Sequence, residues 1–290
     1  MAHDDEAVGD MVNLATLDEQ AMVTNLRNRF QKNLPYTVCG QICVSVNPFQ
    51  WLPLYEDDLV MKFHASSDPF ATLDPHVYAI AHSAHRRLTQ VASNEVQPSQ
   101  SILVSGESGA GKTEATKICM RYLATIDSGS SSGAANDGAA SALTERVLQS
   151  SPVLEALGNA QTTRNDNSSR FGKFLQLQYS PSGAQIGASI ATYLLERSRL
   201  VQPPQGEANY HVLYQLAGGA DQPMREALGV RAEHEYSIAL PEGSGRKSAA
   251  ERQAGWRRTT EALAALGFVP HEVSEIARAL SGVLALSAVA

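Results

Sequence analysis

The segment Gly106-Glu107-Ser108-Gly109-Ala110-Gly111-Lys112-Thr113 constrains this chain of 290 residues more than any other. It matches Gly-x-x-x-x-Gly-Lys-Ser/Thr. It lies between a short apolar run, Ser101 to Ser105, and the positions Ala115, Ile118, Tyr122 and Leu123, which recur at helical spacing. The expected order is therefore strand, glycine loop, helix. The glycines let the backbone wrap with its N–H groups turned inward, forming a nest for phosphate oxygens whose charge is favoured further by a helix N-terminus. Lys112 would reach the terminal phosphates, and the Thr113 hydroxyl would be one oxygen ligand of a Mg²⁺ ion. These residues alone point to a nucleoside triphosphate held with Mg²⁺, without settling which one.

The remaining bulk properties mostly exclude. Net charge is −7, from 23 Lys and Arg against 30 Asp and Glu, and the basic residues are scattered, which argues against a nucleic-acid-binding surface. Cys39, Cys43 and Cys119 give an odd count with no pairing framework, as in a reducing, cytoplasmic compartment. Cys39 and Cys43 lack the further ligands that would complete a tetrahedral metal site, so they read as packed thiols. Residues 1–11 form an acidic segment unlike a signal peptide. The apolar stretch Ala279 to Ala290 is far shorter than the ~20 residues of a membrane span and reads as a core helix, so no transmembrane segment is expected.

Periodicity places the other elements. Leu17, Met22, Leu26 and Phe30 mark an amphipathic helix over 17–33, and the β-branched run Thr37 to Val46 reads as one strand entering a loop at Asn47-Pro48 that continues to Tyr55. Turn signals follow from Ser66 to Pro75, then a helix from His76 to Ala92. The Ser-, Gly- and Ala-rich tract after Asp127 has too little apolar surface to offset its ordering entropy, which predicts a mobile surface loop over 127–142. Helical patterning resumes at Leu143 and lasts to Gly158. Phe174 to Tyr179 and Gln185 to Leu195 flank a turn-forming Ser180-Pro181-Ser182-Gly183 and read as a β-hairpin. Beyond Tyr210 the pattern is mostly helical, with a looser polar stretch from Glu242 to Ser248.

A second polar constellation, Asn165-Asp166-Asn167-Ser168-Ser169-Arg170-Phe171-Gly172-Lys173, precedes the hairpin. Taken alone it reads as readily as a hydrated turn. In combination, however, Gly-Glu-Ser-Gly-Ala-Gly-Lys-Thr followed by Asn-x-x-Ser-Ser-Arg-Phe-Gly-Lys resembles the phosphate loop and switch I of the myosin motor domain. The resemblance extends to Asn47-Pro48-Phe49-Gln50-Trp51-Leu52-Pro53-Leu54-Tyr55, similar to the myosin adenine loop, and to Leu194-Leu195-Glu196-Arg197-Ser198-Arg199. It runs over about 12–290.

The resemblance implies an α/β fold: a P-loop NTPase-type mixed sheet flanked by helices, forming an incomplete myosin head. It implies ATP and Mg²⁺ as ligands. Gly106, Glu107, Ser108, Gly109, Ala110, Gly111, Lys112 and Thr113 would cradle the phosphates, while Asn47, Pro48 and Tyr55 would line the base pocket. Asn165 would contact phosphate, Thr113 and Ser169 would ligate Mg²⁺, and Ser168 would lie beside the attacking water. Arg170 would pair with a glutamate of switch II. No Asp-x-x-Gly-Phe-Glu pattern of that switch occurs in the chain, so Arg170 is expected to lack its partner and the chain to hydrolyse ATP weakly or not at all.

The function implied is that of the ATP-binding part of a cytoplasmic, actin-associated motor, with actin filaments as partner and light chains or calmodulin in the intact protein. The alternative is a non-motor nucleotide-binding protein derived from a myosin head. A small-molecule kinase or a microtubule motor is disfavoured by the switch-like cluster and the base loop.

Overall fold

A computed structural model describes residues 7–89, 99–130, 137–180, 183–231, 236 and 248–287. The chain divides into two compact units: Met1–Thr144 with Gln178–Gly187, and Glu145–Leu177 with Ala188–Ala290.

In the first unit, α1 (Glu19–Gln31) is capped by Asp18, whose carboxylate accepts from Ala21 N at 2.8 Å. Its buried Arg29 donates Nε and Nη2 to the Tyr36 carbonyl at 3.1 and 2.8 Å, fixing where the chain turns into β1. The single strand expected over 37–46 is instead a hairpin: β1 (Tyr36–Cys39) pairs antiparallel with β2 (Ile42–Ser45), Cys39 facing Ile42. Gly40, at φ +58, supplies the left-handed residue that so short a turn requires.

Two helices follow that periodicity had not marked, α2 (Asp57–Ala65) and the single turn α3 (Pro69–Thr72), before α4 (Val77–Thr89). The signals for α2 were present: Asp57 and Asp58 in its first turn, Lys62 and His64 in its last, and Val60 with Phe63 buried on one face. Helix α5 (Lys112–Ser130) packs its buried Met120, Tyr122, Leu123 and Ile126 in this unit, whose core also holds Val60, Phe63, Tyr78 and Ala81. Cys119 is buried here and its thiol is pushed up to about 12 by burial. Cys43 is likewise raised to about 12 by burial, so both behave as packed thiols. Among the described residues no three His, Cys, Asp or Glu side chains group as a metal site.

Two expectations fail locally. Ser101 to Ser105 adopts no strand, because a strand exists only through ladder partners and none lies beside it among the described residues. The described sheets are three two-stranded ones, so helix and strand are mixed, as an α/β reading requires, without a large sheet. In the tract read as a loop over 127–142, α5 continues through 127–130 and α6 (Asp137–Gly158) begins at 137, whereas 131–136 lie outside the described residues. Extending an existing helix is far easier than nucleating one, so residues of modest propensity are drawn in from both ends.

In the second unit, the end of α6 passes into β3 (Asn159–Ala160), which pairs antiparallel with β4 (Ser168–Ser169) and bridges to Tyr210. The hairpin β5 (Gly172–Tyr179) and β6 (Gln185–Tyr193) forms as its turn residues indicate, its Gln178–Gly187 end belonging to the first unit and Pro181 and Ser182 lying outside the described residues. The single turn α7 (Ser198–Val201) leads to α8 (His211–Gly219), α9 (Gln222–Ala227), α10 (Ala249–Ala265) and α11 (Pro270–Ser287). Of the polar stretch Glu242 to Ser248, only Ser248 is among the described residues; it forms a capping box with Glu251 at the start of α10. Leu213, Leu216 and Ala217 of α8 meet Trp256 of α10 and Ala277 and Leu284 of α11 in one core. α10 comes so close to α8 that a Cβ on Gly219 would collide with the Arg252 carbonyl. No helix among the described residues is long and apolar enough to cross a membrane.

Candidate functional site

The glycine loop sits at the N-terminus of the 19-residue helix α5, as its sequence dictates. Gly109 and Gly111 have φ of +81° and +93°, values costly for residues with a Cβ, so the loop's curvature depends on glycine at both positions. The first N–H groups of α5 have no intrahelical acceptor, which leaves a concentration of donors and positive dipole at the end of the loop. Lys112 folds back over this loop, donating Nζ to the carbonyls of Gly106 at 2.6 Å and Glu107 at 2.7 Å. Its ammonium is thereby held within the loop's own curve. The arrangement fits a polyphosphate: backbone bare of Cβ, a helix N-terminus and one cation at a common place. The Thr113 hydroxyl, one residue on, is a hard oxygen donor of the kind Mg²⁺ accepts.

The loop from Asn47 to Tyr55 belongs to the same unit and touches the glycine loop directly. Asn47 Nδ2 donates to the Gly109 carbonyl at 2.7 Å, and its Oδ1 accepts from Phe49 N at 2.9 Å. Pro48 fixes the backbone between these two contacts, and Phe49 takes φ +50. Tyr55 is half-buried, shares a hydrogen bond of 2.9 Å with the Tyr36 hydroxyl, and lies 4.8 Å from the Trp51 ring, centroid to centroid. Tyr36 itself is buried, and burial first, then the Tyr55 hydrogen bond, raises its hydroxyl well above the usual phenol range, so it stays a neutral donor or acceptor. Nothing in the sequence marked Tyr36 as Tyr55's support.

The polar constellation lies in the second unit and is held by β4. Ser168 is buried at 3% exposure and Ser169 is exposed, the alternation of a strand with one covered face. Asn165 Oδ1 accepts from Asn167 N at 2.9 Å, making the turn that leads into β4. Asn167 is tied to Asn159, Glu155 and His211, which anchors that turn to α6 and α8. Ser169 Oγ donates to the Phe171 carbonyl at 3.0 Å.

Arg170 is where the structure corrects the sequence reading. Far from lacking a carboxylate, its Nε donates to Glu196 Oε2 at 2.7 Å, and its Nη1 donates to Ser168 Oγ at 3.2 Å. Glu196 is shared: Arg199, fully buried, donates Nε to the same Oε2 at 2.7 Å and Nη2 to Glu207 at 2.7 Å. Tyr210 closes the group by donating its hydroxyl to the Glu196 carbonyl at 2.7 Å. Burial by itself would raise the Glu196 carboxyl, but Arg170 and Arg199 outweigh it and hold the group below the ordinary carboxylate range. For Arg199 burial lowers and the two carboxylates raise, with the carboxylates prevailing. The sequence did contain this partner, in Leu194-Leu195-Glu196-Arg197-Ser198-Arg199, but the run carried no indication of what Glu196 binds.

Comparison with known proteins agrees along nearly the whole chain. The family model described as myosin head (motor domain) matches residues 8–290. The chain is 38% identical over 279 residues to unconventional myosin-Ib of Mus musculus, covering 96% of this chain and 24% of that protein. It is 39% identical over 279 residues to myosin type-2 heavy chain 2 of Schizosaccharomyces pombe, covering 96% of this chain and 13% of that one. Against myosin-1 of Arabidopsis thaliana it is 43% identical over 231 residues, covering 80% and 18%. The chain thus spans about a quarter or less of the length of these relatives.

Proposed function

The chain belongs to the myosin head (motor domain) family, and from that premise we propose that it is the ATP-binding part of an actin-based cytoskeletal motor that couples Mg-ATP hydrolysis to movement on actin filaments. The observation that carries this reading is Lys112, held over the Gly106 and Glu107 carbonyls within a loop whose Gly109 and Gly111 take positive φ at the start of α5.

Each segment has a role in this reading. Lys112 exchanges its loop carbonyls for the terminal phosphates, and Thr113 supplies a protein oxygen for Mg²⁺. Mg²⁺, when bound, neutralises charge on the phosphate oxygens. Asn165 contacts phosphate, Ser168 lies beside the attacking water, and Arg170 takes a glutamate of switch II as its partner when the site closes. Pro48 and Tyr55 line the base pocket. The switch residues report hydrolysis by ordering on the γ-phosphate.

The same reading extends to the fold and the partners. Ser101 to Ser105 is a strand of a P-loop NTPase-type mixed sheet in the longer protein; Leu103, 91% exposed, supports this, since so bare a leucine is unfavourable unless covered. Actin is the filament partner, light chains or calmodulin belong to the intact protein, and the location is the actin cytoskeleton of the cytoplasm. Membership of the family supports all three.

The test is binding of a fluorescent ATP analogue with Mg²⁺ by the 290-residue chain and by Lys112→Ala, with phosphate release measured in the same samples. Binding that Lys112→Ala abolishes is the expected result. Equal binding by both proteins, or none by either, overturns the reading. Release that depends on Lys112 would show that hydrolysis itself resides in these residues.

A further inference from the structure

Asn47 stands where the family resemblance places a base-pocket residue, yet both ends of its amide are already engaged by protein. Oδ1 accepts from Phe49 N at 2.9 Å, and Nδ2 donates to the Gly109 carbonyl at 2.7 Å across a sequence separation of 62 residues. The two partners fix which end of the amide is which, because a carbonyl needs a donor and an N–H an acceptor. The side chain also lies along the loop further on: a Cβ on Gly111 would stand 3.9 Å from Asn47 Cγ.

The glycine loop needs such a restraint. A Cβ on Gly109 would meet nothing within 4 Å, so no neighbour packs against the side of this residue where a side chain would project. Its carbonyl oxygen and the Ala110 N–H belong to one rigid peptide plane and point in opposite directions. Asn47 grips the oxygen of that plane, and the Glu107 carbonyl accepts from the Ala110 N–H at 3.2 Å. The plane is therefore clamped at both ends, and only one of the clamps comes from outside the loop.

We infer that Asn47 is a positioning residue of the phosphate loop: it sets the Gly109–Ala110 peptide for polyphosphate and contributes nothing to recognition of the base. This rests on the nucleotide reading above and departs from the role the resemblance gives Asn47. The turn and the strut are separable. Serine at this position retains an acceptor for Phe49 N but is too short to reach Gly109, and alanine loses both contacts.

The experiment is calorimetric titration of the 290-residue chain, in wild-type, Asn47→Ala and Asn47→Ser forms, with Mg-ATP and with tripolyphosphate in Mg²⁺, which has no base. The expected result is that both variants weaken both ligands by the same factor, about three- to tenfold for one lost hydrogen bond. In the ligand-free variants, hydrogen exchange at the Ala110 N–H should also quicken while the amides in the middle of α5 do not change. Weakened ATP with unchanged tripolyphosphate would make Asn47 a base ligand and overturn the inference. So would full affinity in Asn47→Ser, or unaltered exchange at Ala110. If wild type binds neither ligand, the nucleotide reading itself fails and this inference with it; if wild type binds both and only the variants' pattern departs, the nucleotide reading stands and this inference alone falls.

Discussion

Arg170 Nε and Glu196 Oε2 lie 2.7 Å apart, and that same carboxylate oxygen also receives buried Arg199. One carboxylate thus joins the arginine beside Ser168 to the guanidinium that organises Glu207 and the Ala208 carbonyl. Removing it takes a carboxylate from two cations at once.

Glu196→Ala should therefore cost more than an ordinary surface change. Arg199 keeps Glu207 and the Ala208 carbonyl but loses one of its two carboxylates, and a desolvated charge left short of a partner is expensive, so roughly 2–4 kcal/mol of unfolding free energy should be lost in urea denaturation. Arg121 and Asp57, both largely exposed, provide the contrast: Asp57→Ala should change stability by less than about 0.5 kcal/mol. Comparable losses in the two variants would remove the distinction drawn here.

Acid should destabilise the unit containing His76. This histidine is 4% exposed and depressed from 6.5 to about 4, chiefly by burial, and its Nδ1 accepts from Tyr78 N at 3.1 Å, which requires the neutral ring. The unfolded chain binds the proton more tightly than the folded one. Its stabilising effect is thus complete above about pH 6.5 and is lost as pH falls towards 4. Over that window the loss is on the order of 3 kcal/mol. Chemical denaturation between these limits should show the slope, and His76→Gln should reduce it, leaving the part contributed by His85 and His82, which burial also depresses; an unchanged slope would assign the acid sensitivity to those groups.

Gly111→Ala should damage binding without unfolding the chain. Its φ of +93° strains any residue carrying a Cβ, and the loop can relieve that strain by changing its curvature. Affinity for Mg-ATP should fall by about tenfold or more, with the melting temperature nearly unchanged. Wild-type affinity would show that the loop does not need its glycine here.

Gly219→Ala tests packing far from the glycine loop in sequence. The added methyl would meet the backbone carbonyl of Arg252, which cannot rotate away, so α8 and α10 must separate. A destabilisation of about 1–3 kcal/mol is expected in thermal or urea unfolding. Wild-type stability would mean that the two helices adjust freely.

Where a residue's own backbone or its near neighbours decide the outcome, the sequence was legible. The glycine loop before α5, the helices α1, α4 and α11, and the turn between β5 and β6 follow from positive-φ glycines, helical periodicity and turn formers. Helix α2 and the Gly40 turn were equally local and went unread, because the acids opening α2 and the lone glycine lay inside runs given a different meaning. What tertiary structure alone decided depends on pairing at a distance. Ser101 to Ser105 carries strand composition but has no described ladder partner, and a strand is a relation between segments. Arg170 finds its carboxylate 26 residues away and Asn47 its carbonyl 62 residues away. The sequence by itself determined where a Cβ-free turn, a lysine and a hydroxyl meet at the start of α5, since the positive-φ glycines and the helix start are set by local geometry. Only the folded chain decided which partners hold Arg170, Tyr55 and Asn47, because a hydrogen bond is selected by what packing brings within about 3 Å, and spacing along the chain does not encode that.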